Sequence, residues 1–303
     1  MKKVALALAS GGPRGFAYIG AIEELQKRGY QISSVAGTSA GSLVGGVFAA
    51  GGLNEFKEWL FGLDPLKVVS LMDFSISKNH LVKGDKVMEA IKERVPDMNI
   101  EDLPIPFTAV ATDLFTGEEV IFREGPLFEA IRASISIPSM FRPVKWHGRT
   151  LVDGGMANTF PLNRVERTPG DILVGFNVNQ IDAAEIQGFL DSRAALEKER
   201  SSERRLPERI QTGLQQRLLE ASASRNWIPV GADDNYATIL QRSFGIMNCT
   251  IARMGIELAR PDILVNLPFD SYHGVYGYSH AEEIVEKGRE LMAAALDQYE
   301  SSH

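Results

Sequence analysis

The sequence predicts an α/β fold with a mostly parallel central sheet, and two observations carry this prediction. Apolar runs of strand length alternate along the chain with longer stretches of helical periodicity. The first run, 4–9, leads through a glycine-rich loop into a helix predicted at 16–28 and then to a strand at 32–36, which together make a βαβ unit. The crossover of such a unit is right-handed and its strands are parallel, so the loops after the two strands open at the same sheet edge.

The later elements are assigned by the same periodicity and by the turn residues between them. Pro96 ends one helix, and Thr116-Gly117 and His147-Gly148 mark two hairpin turns. Helices are predicted at 42–50, 54–63, 83–95, 126–134, 237–258 and 281–299, with a short one after Pro161. Strands are predicted at 107–112, 119–122, 143–146, 150–152, 172–178 and 263–267.

Length, composition and charge limit the classes of function. With 303 residues, 44% hydrophobic and 23% charged, the chain can bury a sizeable core. We expect one domain over 1–303 that carries a helical cap or insertion at about 183–242. A net charge of -7 argues against nucleic acid as a partner and provides no general attraction to an anionic membrane. Any membrane contact is therefore expected to be peripheral, local and apolar.

The segment 183–242 differs in composition from the rest of the chain. Between 191 and 210 acidic and basic residues alternate densely, a pattern typical of exposed helices that carry salt bridges. Two roles stay open for the segment. It could cap a crevice and meet lipid through apolar residues such as Trp227, Ile228 and Pro229, or it could be a solvated decoration or an oligomer contact.

The N-terminus and the cysteine content bear on location. Lys2 and Lys3 precede a short apolar run that imitates a secretory signal, but the run is too short for a membrane span, and we interpret it as the first strand. No other stretch is long and apolar enough to cross a bilayer. Cys249 cannot form an internal disulfide and is expected to be a buried, inert thiol. These features fit a cytoplasmic protein.

A candidate nucleophile lies in the pentapeptide Gly37-Thr38-Ser39-Ala40-Gly41. An apolar strand precedes it and an apolar helix follows it, so Ser39 is predicted on a strand-to-helix turn. Such a turn exposes the serine hydroxyl at the positive end of a helix, where developing negative charge is stabilised. The alternative is an ordinary tight turn in which Thr38 or Ser39 caps the helix.

The glycine loop after the first strand could supply the hydrogen-bond donors that a serine nucleophile needs. Backbone N–H groups of Gly11, Gly12 or Arg14 could bind a tetrahedral oxyanion, whereas Pro13 has no N–H. A dinucleotide-binding turn is disfavoured, because the spacing is not G-x-G-x-x-G and no acidic residue stands at the expected place.

Asp153 is the candidate general base. It ends a predicted strand, and Gly154 and Gly155 after it allow close backbone approach. Taken alone, an Asp-Gly-Gly stretch more often forms only a turn.

Taken together, these pieces resemble the patatin-like phospholipases, whose pattern is a Gly-Gly-x-Arg/Lys-Gly loop, a Gly-x-Ser-x-Gly elbow and a later Asp-Gly-Gly/Ala. The three stand here in the family's order at 11–15, 37–41 and 153–155. Stretches at 111–118 and 133–144 look like the bacterial branch, and the resemblance covers about residues 3–180. Ser10 replaces the glycine that usually opens the family's loop, for which we expect a changed turn rather than a lost site.

The resemblance implies a three-layer α/β/α sandwich with Ser39 as nucleophile and Asp153 as general base. It also implies hydrolysis of acyl esters of lipids, of the phospholipase A or lysophospholipase type, without a metal or another cofactor. The oxyanion loop would comprise Gly11, Gly12, Arg14 and Gly15.

Three other interpretations stay open. A true α/β-hydrolase with a Ser-Asp-His triad would use His273 or His280, although Ser39 follows only the second predicted strand, and His147 is expected to be a solvated turn residue. An acyltransferase would use the same dyad and hand the acyl group to an acceptor other than water. A lipid-binding scaffold would keep the fold without turnover. The lipid head group, the bond cleaved and the oligomeric state also stay open.

Overall fold

The computed structural model describes residues 2–64, 84–138, 140–181, 236–269 and 280–302, together with residues 67, 68, 71, 187, 191, 271, 272, 277 and 278. Most of the segment 183–242 therefore lies outside the described residues. So do His273 and the apolar residues Trp227, Ile228 and Pro229. Of the charged stretch at 191–210, only Asp191 is described.

The strands and helices follow the predicted order. The strands are β1 (Lys3–Leu8), β2 (Gln31–Thr38), β3 (Phe107–Asp113), β4 (Glu119–Phe122), β5 (Val144–Trp146), β6 (Arg149–Asp153), β7 (Ile172–Gln180) and β8 (Ile263–Pro268). The helices are α1 (Ala17–Lys27), α2 (Ala40–Ala49), α3 (Leu53–Phe61), α4 (Asp85–Lys92), α5 (Leu127–Ser134), α6 (Tyr236–Ala259) and α7 (Ala281–Ser302). Single 3₁₀ turns cover Gly12–Phe16, Ile100–Asp102 and Gly154–Met156.

Within the described ranges, one predicted element is wrong. The chain after Pro161 forms a turn instead of a short helix, with the Arg164 N–H donating to the Pro161 carbonyl at 3.0 Å. Pro169 and Gly170 follow so closely that a helix of stable length has no room before β7.

The strands form a mostly parallel sheet, as predicted. The described strands make one eight-stranded sheet in the order β5-β6-β3-β2-β1-β7-β8, with β4 paired to β3. The pairs β1–β2, β1–β7, β2–β3 and β7–β8 are parallel, whereas β3–β4, β3–β6 and β5–β6 are antiparallel. The antiparallel strands bring Asp153 back into the sheet at the end of β6.

Helices cover both faces of the sheet, and the sequence of β1 shows why. Val4, Leu6 and Leu8 point into one apolar core with α1, α2 and α7, while the intervening alanines join a second core that includes Ala252 of α6. The predicted three-layer α/β/α sandwich is thus confirmed. Cys249 of α6 is buried, as predicted. Across the described ranges, no helix combines the length and the apolar character that crossing a bilayer requires.

Candidate active site

Ser39 joins β2 to α2 in a conformation that few residues other than glycine adopt, with φ of 55° and ψ of -120°. Its N–H donates to the Ser134 hydroxyl at 2.8 Å. Its carbonyl accepts from the Leu43 N–H at 3.0 Å and from the Ser42 hydroxyl at 2.7 Å. These bonds hold the strained turn in place, which is the geometry of a nucleophile elbow.

Glycine is required on both sides of this turn. A Cβ on Gly37 would lie 2.2 Å from the Gly41 carbonyl oxygen, and a Cβ on Gly41 would lie 2.2 Å from the Leu8 carbonyl oxygen. Since these neighbours are backbone atoms of α2 and of β1, they cannot move aside as a flexible side chain could. Any larger residue would push α2 away from β1 and β2.

The capping alternative for this turn is not what the structure shows. Helix α2 has no side-chain cap hydrogen bond at its N-terminus. The Thr38 hydroxyl donates instead to the Asn158 carbonyl at 2.8 Å, and the Ser39 hydroxyl donates to Asp153 Oδ2 at 2.5 Å. Both hydroxyls are therefore engaged away from the helix, and that of Ser39 is bound to a carboxylate.

The sheet register explains why Ser39 meets Asp153 across 114 positions of sequence. On one edge of β3, Val110 pairs with Thr38 at the end of β2, and Ala111 pairs with Asp153 at the end of β6. Strand β4 pairs with the same two residues from the other edge of β3. Strands β2 and β6 therefore lie along one and the same edge, the one that β4 does not occupy. Because β2 is parallel and β6 antiparallel to β3, their ends meet head to head.

Asp153 is buried, with 5% of its surface exposed, and hydrogen bonds hold both its side chain and its backbone in place. Its Oδ1 accepts from the Gly155 N–H at 2.7 Å, and its carbonyl accepts from the Thr112 hydroxyl at 3.0 Å. Burial raises the pKa of the Asp153 carboxyl to about 6, although the hydrogen bonds from Ser39 and Gly155 oppose this increase. The carboxyl is thus a stronger base than an exposed aspartate, yet is still ionised at neutral pH.

The glycine loop lies against this pair. Gly12 has φ of 57° and begins the 3₁₀ turn, and a Cβ on Gly11 would lie 2.1 Å from Val178 Cγ2. The carbonyl of Ser10 accepts from Asn179 Nδ2 at 2.6 Å, while the Ser10 N–H donates to the Thr159 carbonyl at 2.8 Å. The turn is therefore formed and anchored with serine at its first position.

The remaining predicted loop residues, Arg14 and Gly15, have packing roles. The guanidinium of Arg14 is buried, donates to the Phe269 carbonyl and lies 4.7 Å from the centre of the Phe269 ring. A Cβ on Gly15 would lie 2.5 Å from Ala40 Cβ, so the turn packs closely on the first residue of α2. In a 3₁₀ turn the first backbone N–H groups have no acceptor within the turn itself, and Gly12 begins this one.

A largely apolar cavity opens at Ser39. It has a volume of about 960 Å³, including the space at its mouth. Gly12, Ser39 and Tyr278 line its wall, and all the other lining residues are apolar. Helices α2, α3 and α4 and the segment 135–141 supply most of that wall, through Ala40, Leu43, Val44, Phe56, Trp59, Leu60, Val87, Ile91, Ile135, Ile137, Met140 and Phe141.

Two of the histidines considered, His147 and His280, do not lie at this site. His147 lies in the turn between β5 and β6 with φ of 44° and packs on Trp146, and His280 directly precedes α7. Neither lines the cavity, and His273 lies outside the described residues. Within the described ranges, no group of three or more His, Cys, Asp and Glu side chains converges as metal ligands would.

Sequence reasoning missed polar groups that the tertiary structure brings to the site. Ser134, from α5, fixes the Ser39 N–H. A Cβ on Gly155 would lie 3.0 Å from Asp153 Oδ1, 3.0 Å from the Ser10 hydroxyl and 3.4 Å from Asn248 Nδ2, so these side chains converge beside the carboxylate. Ser134 falls in a stretch singled out by the resemblance, whereas Asn248 and Tyr278 carry no local signal.

Comparison with known proteins gives the same family by two routes. A sequence family described as patatin-like phospholipase matches residues 6–165, which contain all three motifs. An uncharacterized NTE family protein of Mycobacterium tuberculosis is 34% identical, over 98% of this chain and 92% of its own length.

More distant similarities extend to an animal protein and a solved structure. Patatin-like phospholipase domain-containing protein 7 of Mus musculus is 26% identical over 62% of this chain, which matches only 14% of the mouse protein's length. The crystal structure of VipD from Legionella pneumophila has a TM-score of 0.46 and 14% identity, covering 98% of this chain and 67% of that chain.

Proposed function

The chain belongs to the patatin-like phospholipase family, and from this premise we propose that it hydrolyses acyl esters of lipids, as a phospholipase A or lysophospholipase, with Ser39 and Asp153 as a catalytic dyad. The observation that carries the proposal is the 2.5 Å hydrogen bond from the Ser39 hydroxyl to Asp153 Oδ2, beside an apolar cavity. Family membership supports a lipid hydrolase; the dyad and the substrate type are our proposal.

In the first step Ser39 Oγ attacks the ester carbonyl carbon while its proton passes to Asp153 Oδ2. The hydrogen bond already points the proton at its acceptor, and the raised pKa of Asp153 makes this transfer less unfavourable than it would be to an exposed aspartate. Asp153 then returns the proton to the departing alcohol as the tetrahedral intermediate collapses. The product of this half-reaction is an acyl-enzyme.

In the second step water attacks the acyl carbon while Asp153 takes a proton from it, and this proton then passes to Ser39 Oγ as the acyl–serine bond breaks and the fatty acid leaves. In both steps negative charge develops on the former carbonyl oxygen. The N-terminus of α2 and the backbone N–H groups at the start of the glycine turn support its stabilisation, since Gly12 lines the same cavity as Ser39.

The cavity supports a long acyl chain as the substrate group. Its wall offers continuous hydrocarbon next to the nucleophile, and each buried methylene contributes about 0.8 kcal/mol of binding free energy. A long chain should therefore be strongly preferred over an acetyl group. Contact with a membrane, which would present such chains, stays a prediction.

The test is covalent labelling of Ser39 by an alkyl fluorophosphonate, with hydrolysis of phosphatidylcholine vesicles and of a soluble ester measured in parallel. Ser39→Ala should abolish labelling and hydrolysis while the circular dichroism spectrum is retained. Ser33→Ala is the matched control, because this hydroxyl bonds Val4 and Asp171 and does not line the cavity, so it should stay labelled and active. Labelling that survives Ser39→Ala would refute the assignment.

The products separate hydrolysis from acyl transfer. With glycerol or a lysophospholipid added as acceptor, a hydrolase still releases free fatty acid as its main product. Predominant acylation of the acceptor would instead identify an acyltransferase on the same dyad.

A further inference from the structure

We propose that Tyr278 is a further catalytic residue, whose phenol hydroxyl donates a hydrogen bond to the oxyanion formed during acyl transfer. The inference rests on the proposed function of Ser39 and adds a residue that the three motifs do not contain. Tyr278 lies more than a hundred positions after the last motif and reaches the site only through the fold.

The Tyr278 side chain lies at the proposed reaction site. Tyr278 lines the cavity together with Ser39 and Gly12. A Cβ built on Gly12 would point toward the Tyr278 hydroxyl oxygen and lie 4.0 Å from it, so the phenol faces the start of the glycine turn across the cavity. A carbonyl oxygen seated between Gly12 and Ser39 would thus have this hydroxyl beside it.

Neighbouring residues hold the Tyr278 ring in place and leave its hydroxyl available. The ring packs edge-to-face on Phe16, with ring centres 5.8 Å apart, and a Cβ on Gly277 would lie 2.7 Å from Pro13 Cγ. The segment that carries Tyr278 therefore rests directly on the glycine turn. Among the described residues, none accepts a hydrogen bond from the Tyr278 hydroxyl, and Tyr278 lines the cavity with this hydroxyl near Gly12.

The Tyr278 hydroxyl keeps its proton in this environment. Burial raises the pKa of Tyr278 to about 12, and the negative charge of Asp153 acts in the same direction, whereas the Arg14 cation opposes it. The phenol is therefore neutral at every pH at which the enzyme would work, and it can only donate to an anionic oxygen. A phenol in this state is a suitable oxyanion donor.

The glycine loop lacks one backbone N–H donor. Pro13 has no N–H, so the turn offers fewer backbone donors than a loop of the same length without proline. A side-chain donor from outside the loop compensates for the missing backbone group.

The step balances without any further reactant. As Ser39 Oγ bonds to the carbonyl carbon, the C=O electron pair moves onto the oxygen and the serine proton moves to Asp153. Tyr278 keeps its proton and shares it in a hydrogen bond that shortens as the oxygen becomes negative. When the intermediate collapses, the electron pair returns to the carbonyl and the bond to Tyr278 weakens again.

The experiment compares Tyr278→Phe with Tyr272→Phe. The first keeps the ring against Phe16 and removes only the hydroxyl. The second makes the same deletion nearby, where the Tyr272 hydroxyl donates to Glu283 at 3.0 Å and the side chain does not line the cavity. Three quantities are measured for each: kcat on a soluble ester, the Ki of an alkyl trifluoromethyl ketone, and the Kd of a long-chain fatty acid. The ketone forms a tetrahedral oxyanion on Ser39, whereas the fatty acid only fills the cavity.

Tyr278→Phe should lower kcat by about a hundredfold and raise the Ki of the ketone by a similar factor. The Kd of the fatty acid should not change. Tyr272→Phe should leave all three unchanged. The inference is overturned if Tyr278→Phe keeps the wild-type kcat. It is also overturned if the ketone and the fatty acid lose binding affinity by the same factor, which would indicate a packing role. A wild-type protein that neither hydrolyses esters nor binds the ketone would instead refute the proposed function.

Discussion

Replacing Asp153 with asparagine should raise stability and abolish activity in the same variant. The carboxamide keeps the shape of the side chain and can still accept from the Gly155 N–H, but it removes a buried charge. It also removes the base that takes the Ser39 proton, which should lower kcat by about a hundredfold to ten-thousandfold.

The size of the stability gain follows from the protonation of Asp153. Burial raises the pKa of the folded carboxyl from its ordinary 3.8 to about 6, so the folded state holds this proton more tightly than the unfolded chain does. The contribution of Asp153 to the free energy of unfolding therefore falls as pH rises from about 4 to about 6 and is constant above. At pH 8 the whole penalty is present and amounts to about 3 kcal/mol.

The assay is urea unfolding of wild type and Asp153→Asn at pH 8 and at pH 4. The variant should be more stable by up to about 3 kcal/mol at pH 8 and nearly equal at pH 4. Asp171→Asn is the matched control, for which the change in the free energy of unfolding should have the opposite sign. Desolvation opposes ionisation of Asp171, but hydrogen bonds from Thr168 and Ser33 outweigh it and hold its pKa below the ordinary value. This variant should lose stability at pH 8, and the loss should shrink as the pH falls.

Two results would refute this reasoning. If Asp153→Asn is less stable than wild type at pH 8, the hydrogen bonds to the ionised carboxylate outweigh its burial. If the variant keeps its activity, Asp153 is not the base.

Three further predictions test the base, the elbow and the cavity. The value of kcat/KM should rise with pH through about 6 and then stay level, because Asp153 must be ionised to accept the proton; a profile without this rise would contradict Asp153 as the base. Gly41→Ala should lower the free energy of unfolding, measured in urea, by at least about 2 kcal/mol, because its Cβ would lie 2.2 Å from a backbone oxygen. Gly62→Ala is the control and should be close to neutral, because Gly62 has φ of -79°. Leu43→Trp should lower kcat/KM for long-chain esters at least about tenfold relative to acetate esters, because the larger side chain would fill the cavity. An equal decrease for both classes of ester would mean that the acyl chain binds elsewhere.

Much of the fold could be predicted because local patterns and layer packing agree in this chain. The alternation of large residues with alanines in β1 determines which face meets which helix, and the glycines at 37 and 41 are readable as a turn because only glycine fits there. The short helix after Pro161 was predicted wrongly, because local propensity does not register how soon the next turn residues follow.

The sequence by itself determined the α/β class, the strand-to-helix turn at Ser39 and the loop that precedes it, since these depend on neighbours within a few residues. Only the tertiary structure decided that the ends of β2 and β6 meet beside β3 and place Asp153 Oδ2 2.5 Å from the Ser39 hydroxyl. It alone buried that carboxyl enough to raise its pKa and brought Ser134 and Tyr278 to the site. The physical reason is that strand register and burial are properties of the whole packed sheet, which no local stretch of sequence contains.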